Sequence, residues 1–128
     1  SVYETAPVGT LDQPNFLNAA VWIETRLTAE QLKTTVLASI EAALGRVRTS
    51  DKNAPRTIDL DIALFNLAVL DVGARHIPDP DLLKYGHVAV PLADLAPYRI
   101  HPETGQTLEE IAAGLPREGL RRRDDIVL

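Results

Sequence analysis

The sequence has no cysteine and no methionine, and aromatic residues make up only 5% of it. Without cysteine, the chain has no disulfide framework, no thiolate zinc site and no cysteine nucleophile. No apolar run approaches the roughly 20 residues that a helix needs to span a bilayer, so the sequence predicts no membrane segment. A formal net charge of −5 disfavours nonspecific binding to nucleic acid, although a local basic site for a small polyphosphate is compatible with it. These absences favour a cytoplasmic location.

The remaining composition is that of a globular domain. Of its 128 residues, 45% are hydrophobic and 24% are charged, which predicts one domain over residues 1–128 with a modest core. Because the chain starts at Ser1 and contains no methionine, we expect the natural protein to extend upstream.

Residues 54–66 form the most informative segment, since they place two acids on one face of a predicted strand. At about 3.3 Å per residue, the Cα atoms of Asp59 and Asp61 lie about 6.6 Å apart on that face. Two magnesium ions about 3.5 to 4 Å apart fit this span, and carboxylates are the hard oxygen ligands that such ions prefer. Arg56, just before the acids, offers a planar fork of donors suited to phosphate.

A purely structural interpretation of these acids is also open. In it, Asp59 and Asp61 form the solvated face of an edge strand, and Arg56 neutralises them. Aspartate is depleted in strands, however, and local rules tend to fail at functional sites. The functional interpretation is therefore favoured.

Secondary structure is predicted along most of the chain. We expect strands over residues 1–5 and 16–25, the second burying the face that carries Leu17, Val21 and Ile23. Capping-box patterns at Thr28 and Thr107 predict helices that run to Gly45 and through residue 113. Short elements are expected over residues 79–83 and 88–95, and residues 121–125 are expected to form a solvated tail. This order predicts an α+β fold, an antiparallel sheet with helices on one face and the other face open to substrate.

Four linked blocks carry a more specific signal. They occupy residues 1–5, 12–21, 45–48 and 55–61. In order and spacing, they resemble the 6-hydroxymethyl-7,8-dihydropterin pyrophosphokinases of folate biosynthesis. The resemblance implies a ferredoxin-like sheet, with the family's usual first strand and helix apparently missing before Ser1. It also implies transfer of the β,γ-diphosphate of ATP, the co-substrate, to the pterin hydroxymethyl group with release of AMP.

The resemblance implies a role for individual residues. Asp59 and Asp61 would hold two Mg²⁺ ions, and Arg46 and Arg56 would complete the catalytic set by neutralising charge on the transferred group. The pterin-binding positions would be Thr5, Val8, Phe16, Asn18 and His87. The ATP-binding positions would be Glu41, Arg46, Arg48, Lys52, Arg56, Ile62, His76 and Tyr85.

Several of these positions have a structural alternative. Phe16 could be a core residue, and Asn18 could be a satisfied amide at a strand edge. Arg46 and Arg48 follow a predicted helix, where cations are favourable without any ligand. His87 could be a structural histidine.

Two other functions stay open. A noncatalytic ferredoxin-like module for ligand binding or regulation is suggested by Asn53, Asp79 and Tyr85, which depart from the family pattern. A phosphotransferase for a different small alcohol is the third candidate. Expected partners are the small molecules ATP and dihydropterin, with no nucleic acid and no membrane. Fusion to, or association with, a neighbouring folate enzyme is left open.

Overall fold

The computed structural model describes residues 1–5, 15–45 and 58–127. Five of the predicted site residues lie outside these ranges, and their roles stay predictions. They are Val8, Arg46, Arg48, Lys52 and Arg56.

The described residues form short strands and helices. The strands are β1 (Val2–Thr5), β2 (Phe16–Ala19), β3 (Leu70–Val72), β4 (Arg75–Ile77) and β5 (Arg121–Arg122). The α-helices are α1 (Ala29–Gln31), α2 (Ala38–Ala43), α3 (Gly86–Leu95) and α4 (Leu108–Ala113). A π-helical segment, Leu32–Leu37, joins α1 to α2, and a 3₁₀ helix, Pro80–Leu83, precedes α3. The α+β prediction is therefore confirmed. Within the described ranges, no helix combines the length and apolarity needed to cross a bilayer.

Two antiparallel sheets organise these strands. One has the order β2-β1-β5, and the other is the β3-β4 hairpin. The predicted strand over residues 16–25 is wrong beyond Ala19, because Ala19 pairs with Val2 and the chain then runs past the end of β1. Its predicted core face is also wrong. Helix α3 packs against β1 and β2, yet Leu17, Val21 and Ile23 are at least half exposed.

The C-terminal charge run is solvated as predicted, since four of residues 121–125 are exposed, but it is anchored to the sheet and is not a free tail. Strand β5 pairs with β1, and the amide of Arg123 donates to the Val2 carbonyl at 2.8 Å. The Arg123 guanidinium donates to Glu4 at 2.6 Å and to Asp125 at 2.8 Å. A carboxylate on β1 therefore holds the charge run against the sheet.

Residues 58–66 belong to no strand in the described part of the chain, so the predicted carboxylate strand is wrong. In place of a neighbouring strand, side chains and one amide of a loop form hydrogen bonds with the backbone of this segment. The Leu60 N–H donates to Glu41 at 3.0 Å, and Ala63 accepts from the Asp79 amide at 2.9 Å. The alternation of faces survives, since Ile58 and Leu60 are partly buried while Asp59 and Asp61 are exposed.

The helix predicted after Thr28 is confirmed, including its capping box. The Thr28 hydroxyl accepts from the Gln31 amide at 3.1 Å, and the Gln31 side chain accepts from the Thr28 amide at 3.0 Å. The π-helical middle was not predicted. The hydroxyls of Thr34 and Thr35 in this segment, and that of Ser39 just after it in α2, donate to carbonyls four residues earlier. Such bonds compete with the regular helical pattern and bend helices.

The C-terminal half supplies the main core. The second capping box is confirmed, because the Thr107 hydroxyl accepts from the Glu110 amide at 3.1 Å and starts α4. Short helices cover the regions expected at 79–83 and 88–95. The cluster of buried residues there comprises Leu82, Ala89, Leu108 and Ile111. It joins the 3₁₀ helix to α3 and α4, and this fixes the position of the loops that face the site.

Candidate active site

A cleft in the described part of the chain contains one of the predicted metal ligands. This "Asp61 cleft" has a volume of about 290 Å³. Its walls come from the π-helical segment, the segment 58–66, the β3-β4 hairpin and the 3₁₀ helix. Asp61, Ile62 and His76 all line it. The structure therefore brings together three residues that the sequence predicted for metal and nucleotide.

Two cations face Asp61. The Lys33 ammonium nitrogen lies 3.4 Å from Asp61 Oδ1, and an Arg75 guanidinium nitrogen lies 4.0 Å from the same oxygen. Lys33 also donates to the Leu60 carbonyl at 2.5 Å. The sequence did not indicate either cation, because Lys33 is a polar residue on a helix 28 positions away and Arg75 lies in a hairpin without a motif.

Glu41 forms a hydrogen bond with the backbone of the carboxylate segment, residues 58–66. It is only 3% exposed and accepts the amide proton of Leu60, the residue between the two aspartates. Lys33 binds the carbonyl of the same residue. The Leu60 backbone is thus held on both its N–H and its C=O side. The structure places Glu41 against this backbone, and its predicted role beside the nucleotide stays a prediction.

The donor set around Asp61 fits magnesium. Among the described residues, no group of three His, Cys, Asp or Glu side chains is arranged to hold a metal. Asp59 and Asp61 are both exposed and would supply only part of a coordination shell. Magnesium typically takes one or two protein carboxylates and completes its shell with phosphate oxygens and water. A metal shared with a polyphosphate therefore suits these residues.

His76 is held between two carboxylates at the rim of the Asp61 cleft. Its Nδ1 lies 2.8 Å from Asp71 and its Nε2 lies 3.1 Å from Glu103. The hydrogen bond to Asp71, and then the one to Glu103, raise the pKa of His76 above its ordinary value. The imidazole therefore ties the β3-β4 hairpin to the loop before α4 best when it is protonated.

The stability of the protein is expected to depend on pH through His76. A folded-state pKa above the unfolded one gives a contribution that is complete below about pH 6.5 and is lost as the pH rises through the folded-state value. Replacing His76 with glutamine should therefore lower the free energy of unfolding more at about pH 5.5 than at about pH 8.5. Urea denaturation at both pH values measures the difference.

His87 offers a control, because its effect on the pH dependence of stability has the opposite sign. Burial lowers its pKa, so its contribution is present above the ordinary histidine pKa and is lost as the pH falls. His87→Gln should therefore reduce the drop in stability at acid pH. The same pH dependence for both variants would contradict the assignment of the two charge states.

A second cleft, the "Tyr85 cleft", is lined by two of the predicted pterin residues. It has a volume of about 200 Å³, and Thr5, Tyr85 and His87 line it. Asn18 donates to the Thr5 hydroxyl at 3.0 Å, and Phe16 pairs with Thr5 across β1 and β2. Because Phe16 is 43% exposed, the alternative that it is a core residue is wrong.

Two aromatic rings and one cation also line the clefts. The rings of Tyr85 and His87 stack with centroids 5.3 Å apart and planes at 21°. The structure places Tyr85 beside His87, and its predicted role at the nucleotide stays a prediction. Lys84 lines both clefts, so a positively charged side chain stands on their common wall. This position depends on the turn before α3, and no sequence motif indicated it.

Known proteins resemble the chain over most of its length. The family model for 7,8-dihydro-6-hydroxymethylpterin-pyrophosphokinase matches residues 1–97. The 2-amino-4-hydroxy-6-hydroxymethyldihydropteridine pyrophosphokinase of Pseudomonas aeruginosa is 39% identical over 94% of this chain and 73% of its own. The enzyme of that name from Methylorubrum extorquens is 41% identical over 94% of this chain and 73% of its own.

A longer relative matches as well. The Folic acid synthesis protein fol1 of Schizosaccharomyces pombe is 41% identical over 94% of this chain, but the match covers only 16% of the yeast protein. This chain thus spans about three quarters of the bacterial relatives and a small part of the yeast one. The family model matches more than half of the chain and the two bacterial relatives match 94% of it, so the chain belongs to the 7,8-dihydro-6-hydroxymethylpterin-pyrophosphokinase family.

Proposed function

We propose that the protein transfers the β,γ-diphosphate of ATP to the hydroxymethyl group of 6-hydroxymethyl-7,8-dihydropterin. The pterin hydroxyl oxygen forms a bond to the β-phosphorus, the bond from that phosphorus to the α,β-bridging oxygen breaks, and AMP leaves. The hydroxyl proton passes to solvent. One observation carries this proposal: a cleft with a carboxylate suited to metal lies beside a cleft with aromatic rings, and Lys84 lines both.

The Asp61 cleft would take the triphosphate. Asp59 and Asp61 would hold Mg²⁺ there, and we propose two ions. Bound magnesium neutralises phosphate charge and so favours attack by the pterin oxygen. Lys33 and Arg75 add positive charge at the same wall. Arg46, Arg48, Lys52 and Arg56 would contribute further charge, and Ile62 and His76 would lie near the adenine.

The Tyr85 cleft would take the dihydropterin. A flat heterocycle suits stacking between Phe16 and the parallel rings of Tyr85 and His87. Asn18 has a carboxamide that can pair with the pterin's amide edge, and its bond to Thr5 orients it. Backbone groups at Thr5 and Val8 would complete the pocket. In this binding mode, the hydroxymethyl group would face the wall that Lys84 lines.

The finer predictions about fold and setting are part of the same proposal. A ferredoxin-like arrangement is supported by the family match and by α3 packing against the antiparallel β1-β2 pair. A single domain and a cytoplasmic location are supported by size and composition. The yeast relative, of which 16% is matched, supports fusion to, or association with, another folate enzyme.

Measurement of AMP release tests the function. With saturating Mg²⁺ and the full-length protein, we expect AMP to form only when both ATP and the dihydropterin are present. No AMP above background would contradict the proposal. Calorimetric binding in the same samples separates the alternatives, because a noncatalytic module would bind nucleotide or pterin without turnover. AMP or ADP formation with another small alcohol, but not with the pterin, would favour the third candidate.

A further inference from the structure

Lys33 occupies the place next to Asp61 where a metal ion is expected. Its ammonium lies 3.4 Å from Asp61 Oδ1 and 2.5 Å from the Leu60 carbonyl oxygen. These are the kinds of oxygen that magnesium prefers. The Lys33 side chain is only 20% exposed, so its charge is less screened than that of a free surface lysine.

The helix geometry explains how Lys33 reaches this position. It lies in the π-helical segment Leu32–Leu37, whose wider turn directs side chains differently from an α-helix. Such segments are frequent at functional sites. The same helix carries Glu41, which holds the Leu60 N–H. One helix thus fixes both the backbone and the charge balance of the carboxylate segment.

We propose that Lys33 is a positioning residue that satisfies Asp61 until a metal–nucleotide complex arrives, so that divalent metal alone binds weakly. This inference rests on the proposed function for the identity of the nucleotide. A free cation must either displace the Lys33 ammonium or bind against its repulsion. A polyphosphate reverses that balance, because its negative charge attracts both the metal and Lys33. The bond to the Leu60 carbonyl gives Lys33 a second acceptor when it leaves Asp61.

Binding of Mn²⁺ alone tests the proposal, with free Mn²⁺ counted by electron paramagnetic resonance. In Lys33→Gln, the side chain loses its charge but keeps a donor for the Leu60 carbonyl. We expect this variant to bind Mn²⁺ about three- to fivefold more tightly than the wild type. Lys33→Arg keeps the charge and should bind Mn²⁺ as the wild type does.

A second measurement uses a nonhydrolysable ATP analogue. In the wild type, the analogue should tighten Mn²⁺ binding strongly, and Lys33→Gln should reduce this coupling. Lys33→Met serves as a second neutral variant, and urea denaturation confirms that each variant is folded. Equal or weaker Mn²⁺ binding by both neutral variants would overturn the proposal. Neither readout needs pterin turnover, so a failed AMP assay with the expected Mn²⁺ results would contradict only the proposed function.

Discussion

Replacing Asp61 with asparagine is expected to lower kcat/KM for the diphosphate transfer by about 10²- to 10³-fold. Asparagine preserves the size of the side chain but removes the negative charge that faces the cleft. Without that charge, Lys33 and Arg75 lose their ion pair with this side chain and the metal loses a negatively charged ligand. Phosphoryl transfer depends mainly on positioning and electrostatic stabilisation, so the loss should fall on turnover. Initial rates of AMP release over a range of ATP concentrations, at saturating Mg²⁺ and dihydropterin, measure it.

Asp124→Asn is the matched control for this prediction. The side chain of Asp124 is 81% exposed and pairs with Arg122 near the C-terminus. The same chemical change there should leave kcat/KM within about twofold of the wild type, since isolated surface pairs contribute little. A comparable fall for both variants would indicate a general charge effect. An Asp61→Asn enzyme with full activity would remove Asp61 from the proposed mechanism.

Leu82→Ala is expected to lower the free energy of unfolding by about 2 to 5 kcal/mol. Leu82 is completely buried and packs with Ala89, Leu108 and Ile111. Truncation leaves a cavity where the 3₁₀ helix meets α3 and α4. The effect should extend to the site, because Pro80 and Asp81 of the same 3₁₀ helix line the Asp61 cleft, and Lys84, the residue after the helix, lines both clefts. Equilibrium urea denaturation followed by circular dichroism gives the value.

The neighbouring residue provides the control for burial. Leu83 has the same side chain but is 39% exposed, so Leu83→Ala should cost less than about 1 kcal/mol. Equal costs at the two positions would show that the core does not depend on Leu82. An unfolded Leu82→Ala protein would agree with the upper end of the expected range.

The candidate site was predicted only in part. Family resemblance indicated Asp61, Ile62 and His76, and the structure places them on one cleft. It also indicated Thr5, Phe16, Asn18 and His87, which the structure groups around the other. Lys33 and Arg75 were not assigned to the site, because each reaches it through an element that the sequence pattern does not relate to the carboxylates.

The helix starts could be determined from the sequence alone, because the hydrogen bonds that form them join residues close together in the chain. Thr28 and Gln31, or Thr107 and Glu110, lie three positions apart and satisfy each other's amides in any chain that starts a helix there. The α+β class follows from the order of such elements. Helix starts and fold class therefore needed no tertiary information.

Which residues far apart in the sequence pair with each other was decided by the tertiary structure. The sequence of residues 58–66 alternates between apolar and polar side chains, as in a strand. A strand also needs a partner backbone, however, and here the side chains of Glu41 and Lys33 form hydrogen bonds with the Leu60 peptide instead. The sequence pattern predicted a solvated tail around Arg123, whereas in the structure this residue binds the carboxylate of Glu4, 119 positions away. Which distant groups meet depends on how the helices and sheets pack. The sequence therefore determined the chemistry available to this protein, and the packing determined which charges meet in its clefts.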